Sequence, residues 1–278
     1  MTIRLLFYRI FTDTEIAFFD ETGDKMGYYN REGKKLDTRN MRYLDSGSFG
    51  AVYLKEDTII KIYHPECIDS FEGKITLEVF DVLKEIHHPN FIELLDVYSN
   101  LDLLTLFCRK FNLIYHFQID AYTAKYYLNS VVNPLLENKD YLLDNLRDIM
   151  DLMDIFTQEK IRADDLRSGN MILTKENMII IDPDYFRLTT LPLDKLARHN
   201  KESLFALIKD ICSNYLEEIL LQENPILTLQ QRMIRADKIV NRQFGDIHIT
   251  EQTDIPAVLS KRLKSVKKPV ELFERKQN

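Results

Sequence analysis

Four polar features stand in a fixed order along this chain of 278 residues, and their chemistries complement one another. The turn Asp45-Ser46-Gly47-Ser48-Phe49-Gly50-Ala51-Val52-Tyr53 can bring backbone N–H groups close to phosphate oxygens, because glycine interposes no Cβ. Lys61 lies in the apolar run Thr58-Ile59-Ile60-Lys61-Ile62-Tyr63, where a buried ammonium needs a negative neighbour. Much later come Asp165-Leu166-Arg167-Ser168-Gly169-Asn170 and Ile179-Ile180-Ile181-Asp182. Asn and Asp are oxygen ligands of the kind that suit Mg²⁺ or Mn²⁺. Together these are parts that could hold a polyphosphate and its cation and accept a proton from a phosphate acceptor. Taken singly, each has an ordinary alternative. The glycine turn is also a plain hairpin, Lys61 an edge-strand lysine reaching water, and an Asp and an Asn five apart occur by chance.

The elements that must position these groups change character along the chain. In residues 1–40, Phe18-Phe19-Asp20-Glu21-Thr22-Gly23 is echoed ten residues later by Tyr28-Tyr29-Asn30-Arg31-Glu32-Gly33. Paired aromatics followed by a polar turn with Gly predict successive β-hairpins forming an extra antiparallel edge. Residues 41–111 read as strands around one helix. Tyr43–Leu44, Val52–Leu54, Thr58–Tyr63, Phe91–Val97 and Leu101–Cys108 are the strands, and Ile75–Ile86 has helical apolar spacing. Residues 112–278 read as helical, with clear amphipathic stretches at Tyr141–Phe156 and Leu204–Ile219. The expectation is an α+β chain in which a β-rich part precedes a helical part.

With the motifs in this order, residues 41–215 resemble the protein kinase superfamily, whose fold is two-lobed with an antiparallel β-rich N-lobe and a helical C-lobe. The resemblance implies a glycine-rich loop at Gly47, Ser48, Phe49, Gly50 and Val52, and a strand lysine, Lys61, gripping the α- and β-phosphates of ATP. Val52 and Ile59 would sandwich the adenine, with Ile172 as its floor. Lys61 would pair with a glutamate on the following helix. Glu78 is the candidate, although ungapped counting from His88-Pro89-Asn90 lands on Val79. The run Asp165–Leu173 is similar to the kinase catalytic loop. That similarity implies Asp165 as the proton acceptor, Arg167 as a cation near the transferring phosphoryl, and Asn170 and Asp182 as ligands of Mg²⁺ or Mn²⁺.

The chain departs from that pattern at several points. Asp45 replaces the first glycine and would weaken ATP binding unless it points away or bonds within the turn. Ala163-Asp164 precedes Asp165 where kinases write His-Arg, so no clamp on a phosphorylated loop is expected. Asp164 is a rival base, but its spacing to Asn170 favours Asp165. Pro183-Asp184 follows Asp182 in place of Phe-Gly, and Asp184 is expected as a surface-turn carboxylate. No Ala-Pro-Glu segment follows, and only about fifteen residues lead from Asp184 to His199 and the next helix, as in aminoglycoside-phosphotransferase-like kinases. The expected function is Mg·ATP-dependent phosphate transfer to a Ser/Thr hydroxyl. A small-molecule kinase and a partner-binding pseudokinase are the alternatives.

Bulk properties narrow the setting. A net charge of −7 leaves no basic excess for nucleic acid. No apolar run is long enough to span a membrane, and Arg9 interrupts the apolar N-terminal stretch, so a cytoplasmic protein is expected. Cys67, Cys108 and Cys212 lack metal or disulfide spacing. The six histidines are scattered without metal-ligand spacing, and the basic run 261–268 reads as a solvated helix face. The acceptor, whether a protein or a small molecule, and the oligomeric state are left open by the sequence.

Overall fold

The structure, a computed structural model, describes residues 8–12, 15–19, 27–64, 74–101, 117–129 and 140–263. The architecture is mixed α+β, with a six-stranded antiparallel sheet and five α-helices among the described residues. The chain divides into two compact units, residues 1–86 with 93–126, and residues 87–92 with 127–278.

In the first unit β1 (Tyr8–Thr12) and β2 (Glu15–Phe19) form an antiparallel hairpin. The main sheet has the order β3-β7-β8-β6-β5-β4, built from β3 (Gly27–Tyr29), β4 (Arg42–Ser46), β5 (Gly50–Lys55), β6 (Thr58–Tyr63), β7 (Leu94–Leu101) and β8 (Ala121–Lys125). β3 is the added antiparallel edge, paired with β7. The expected glycine after the second aromatic pair is Gly33, at φ 83°, in a turn closed by its N–H to Asn30 O. Strand alternation sorts the sheet into two faces. Ala51, Tyr53, Ile60, Ile62, Tyr98 and Ala121 share one face and form a core with Tyr28, Leu36 and Met41. Lys61, Tyr63 and Tyr122 share the other, which is covered by α1 (Leu77–Lys84). That helix is capped by Thr76, whose hydroxyl accepts the Val79 N–H, and it sets Phe80 against Tyr122.

Two expectations change here. The sheet does not end near residue 111, because β8 lies between β6 and β7 at its centre. Two alanines and a threonine carry little apolar signal, yet they suit a strand buried on both faces. Phe91 is not in a strand of the sheet. It makes a parallel bridge to Ile180 and belongs with residues 87–92 to the second unit. The expected strand beyond Leu101 lies outside the described residues.

The second unit is assembled from α2 (Tyr141–Gln158), α3 (Leu193–Glu223), α4 (Leu229–Phe244) and α5 (Ile255–Leu263). Two ribbons accompany them, β9 (Ile161–Arg162) with β12 (Arg187–Leu188), and β10 (Met171–Leu173) with β11 (Met178–Ile180). The apolar stripe of α2, which includes Leu146, Ile149, Met153 and Phe156, is fully buried. Phe156 makes edge contacts with Phe91 and Phe186, which stack on each other. Buried Asn90 donates to Asn145 Oδ1 and Met178 O, pinning residues 87–92 to α2 and β11. Among the described residues no helix is long and apolar enough to cross a membrane.

Candidate functional site

In the first unit the glycine turn closes the β4–β5 hairpin. Gly47 N–H donates to Gly50 O at 2.9 Å, and His64 N–H to Phe49 O at 2.8 Å. The two glycines do different things. A Cβ on Gly50 would lie 2.5 Å from Ile62 O, so strand packing demands glycine there. A Cβ on Gly47 would meet nothing within 4 Å, and the turn is open at that point. The exposed Asp45 carboxylate accepts the Ser46 N–H at 2.7 Å, a bond within the turn. Ser48 is exposed and Phe49 half-buried.

The strand register brings three expected residues to one face. Val52 lies opposite Lys61, and Ile59 is two residues along β6 from it. Val52 and Ile59 are half-buried, and Lys61 is buried with its ammonium 5.9 Å from the Tyr63 ring and 6.0 Å from the Tyr122 ring. Glu78 does not join them. It is exposed in the first turn of α1 and forms no ion pair with Lys61. The stripe of α1 that packs on the sheet is Val79, Phe80 and Leu83, which turns Glu78 toward water. A second buried lysine escaped the sequence reading. Lys74 Nζ lies 5.0 Å from the same Tyr63 ring and 3.8 Å from Asp120 Oδ1. Burial pushes the Asp120 carboxyl above its usual range, against the opposing pull of the Asn100 N–H, Lys74 and Ser99.

In the second unit the candidate catalytic loop links β9 to β10. Asp164 and Asp165, neighbours in sequence, are treated differently. Both Asp164 oxygens are committed, Oδ2 to Arg162 Nε at 2.7 Å and Oδ1 to His199 Nε2 at 2.8 Å. Asp165 receives Arg167 at 2.7 Å and Asn170 Nδ2 at 3.2 Å, both on Oδ2, which leaves Oδ1 open for a proton. Its backbone sits at φ 56°, a left-handed conformation that costs a non-glycine residue about 1–2 kcal/mol. Such strain persists only where surrounding structure enforces it. Asn170 Nδ2 also donates to Asp165 O at 3.0 Å, so the amide oxygen is left free to act as a ligand.

Asn170 and Asp182 emerge from the same end of the β10–β11 ribbon, where Ile181 N–H donates to Asn170 O at 3.0 Å. Asp182 Oδ1 accepts the Asp184 N–H at 3.2 Å. An amide oxygen and a carboxylate are the kind of oxygen donors that Mg²⁺ takes, and an ion held by them would need further oxygen ligands. No larger group of three His, Cys, Asp or Glu side chains converges among the described residues. Ile172 is half-buried on β10 opposite Ile179, and Arg167 is exposed. Asp184 is a correction. It is buried, at 2% exposure, because the turn closed by Phe186 N–H on Pro183 O folds the segment inward and sends Phe186 into the core.

What enforces the loop is α3, and its residues were missed. Asn200 Oδ1 accepts the Ala163 N–H, and its Nδ2 donates to Thr157 Oγ1 and Ile161 O. Asp210 Oδ2 accepts the Ser168 N–H at 2.7 Å, and Asn214 Nδ2 donates to Ser168 Oγ at 2.6 Å. The available signal was Asn200 itself, an amide on the apolar stripe between Leu196 and Leu204. A buried amide needs partners, and these are found on α2, on β9 and at the start of the loop.

Compared with protein-family models and with the curated proteins, the chain matches none.

Proposed function

We propose that the chain is a phosphotransferase on a two-lobed, protein kinase-like plan, moving the γ-phosphoryl group of ATP to a hydroxyl. The observation that carries this reading is the Asp165–Asn170 pair, in which one amide orients the carboxylate and keeps its own oxygen free. The first unit carries the open turn at Gly47 and, on one sheet face, Val52, Ile59 and Lys61. A glycine turn, a strand lysine and then a helix follow in the order that such enzymes require. Asn170 and Asp182 would hold Mg²⁺, which when bound neutralises charge on the β- and γ-phosphates. Asp165 Oδ1 takes the hydroxyl proton as the acceptor oxygen bonds to the γ-phosphorus. The bond from that phosphorus to the β-phosphate oxygen breaks, and ADP leaves.

Three departures from the usual pattern are accommodated locally by the fold. Asp45 bonds within its turn, Asp164 braces the loop, and Asp184 is buried. A protein Ser/Thr side chain is the acceptor expected from sequence. A specific observation favours a small molecule as the second reading. α3 begins at Leu193, so only residues 185–192 separate it from Asp184, and two of them pair with β9.

The test combines binding and turnover. Mg·ATP at about one hundred times its Kd should stabilise the protein by about 2.7 kcal/mol. Asp182→Ala should lose that shift. Asp165→Asn should keep the shift but lower transfer, or slow background ATP hydrolysis, by about 10²–10⁴-fold. A folded wild type that shows no shift with Mg·ATP rejects the proposal.

A further inference from the structure

The β9–β12 ribbon sets Arg162 directly opposite Arg187. Like charges facing each other across an antiparallel pair are destabilising, so the arrangement calls for an anion. Asp164 answers Arg162 and shares itself with His199. Arg187 forms no ion pair among the described residues. Its NH1 donates to the backbone oxygens of Asp184 and Phe186, and its guanidinium lies 6.0 Å from the Tyr185 ring. A guanidinium carries five N–H donors in a rigid fork. Backbone carbonyls fix the fork through one nitrogen and leave Nε and NH2 available. Arg162 and Arg187 therefore bring two guanidinium charges together, of which Asp164 pairs with one. The pair is anchored beside the candidate base through Asp164, the residue preceding Asp165.

We propose that Arg187, with Arg162, forms an anion-binding subsite that holds a phosphate or carboxylate carried by a small hydroxylated acceptor. This rests on the phosphotransferase reading for the word acceptor, though not for the site itself. A fork pinned by carbonyls has already lost its rotamer freedom, so it binds an oxyanion with less ordering cost than a free surface arginine.

The probes are inorganic phosphate and acetate, each titrated in thermal melts of the full chain. The protein is first saturated with Mg²⁺ and a non-hydrolysable ATP analogue, so that the nucleotide-phosphate positions are filled. Wild type should show a saturable rise in Tm of a few degrees. Arg187→Gln should show none, and Arg187→Lys a reduced one, with melts lacking anion establishing that both variants are folded. A rise with phosphate alone identifies a phosphorylated acceptor, and one with acetate alone a carboxylated acceptor. No rise in wild type, or an equal rise in Arg187→Gln, overturns the subsite. If the analogue itself produces no shift, the phosphotransferase reading falls. The anion titration with and without Arg187 still decides the subsite.

Discussion

Asp164 and Asp165 have the same side chain and adjacent positions, and only their partners separate a brace from a candidate base. Sequence spacing could favour Asp165. It could not show that Arg162 and His199 occupy both oxygens of its neighbour. Glu78 illustrates the opposite outcome, since a plausible spacing placed it one residue away from the stripe that faces the sheet. His88 is a third case, with a measurable consequence. Burial lowers its pKa below the usual 6.5, outweighing Asp148 and Asp151, which act to raise it. Its Nδ1 also accepts the Asn90 N–H at 3.2 Å, an interaction that imidazolium cannot make. The unfolded chain therefore binds this proton more readily than the folded one. Stability is unaffected well above 6.5 and is lost as pH falls below it toward the folded-state value. Melting His88→Asn, which keeps an acceptor without the titration, against wild type from neutral to acid pH should give a flatter decline. Parallel curves would remove His88 as the cause.

At the scale of elements, the long helix α3 organises the candidate site without contributing a ligand or base. Its apolar stripe seats it in the core, with Leu196, Leu204 and Leu207 fully buried. Its polar residues then reach both ends of the 161–168 loop. Replacing Asn200 by Ala would leave the Ala163 N–H and the Ile161 carbonyl without that partner in a buried setting. Each buried group so orphaned costs about 1–3 kcal/mol. The expected result is a loss of several degrees in Tm and, under the proposed phosphotransferase function, a fall in transfer rate greater than the loss of nucleotide affinity. A rate unchanged at temperatures where the variant is folded would show that α3 holds the fold and not the loop. Amphipathic periodicity made α2 and the middle of α3 legible in advance. β8 was not legible, because a central strand of small residues lacks the alternation that marks a half-buried one.

For the whole molecule, chain order and spatial order differ. Residues 87–92 leave the first unit, enter the second, and return to form β7. Phe91 is 2% exposed between Phe156 and Phe186, and Asn90 is fully buried between α2 and β11. A residue numbered among the strands thus completes the helical core. Phe91→Ala should destabilise by about 3–5 kcal/mol, the range for deleting a buried Phe. In denaturant melts followed by probes in each unit, the signal from the second unit should carry the loss. A change confined to the first unit would contradict this packing.

The sequence by itself determined the parts that depend on local order. These are the turns at Gly33 and Gly47, the apolar stripe of α2, and the spacing that singles out Lys61, Asp165, Asn170 and Asp182 as candidates. Backbone geometry, residue type and short-range periodicity are sufficient for those. The expected turn at Gly23 lies outside the described residues. Only the tertiary structure decided which polar groups are already spoken for. It joined Asp164 to His199, turned Glu78 to water and Asp184 inward, and set Arg187 opposite Arg162. The physical reason is that a side chain's chemistry depends on its remaining hydrogen-bond capacity and its burial. Both are set by residues tens of positions away, which spacing along the chain does not encode.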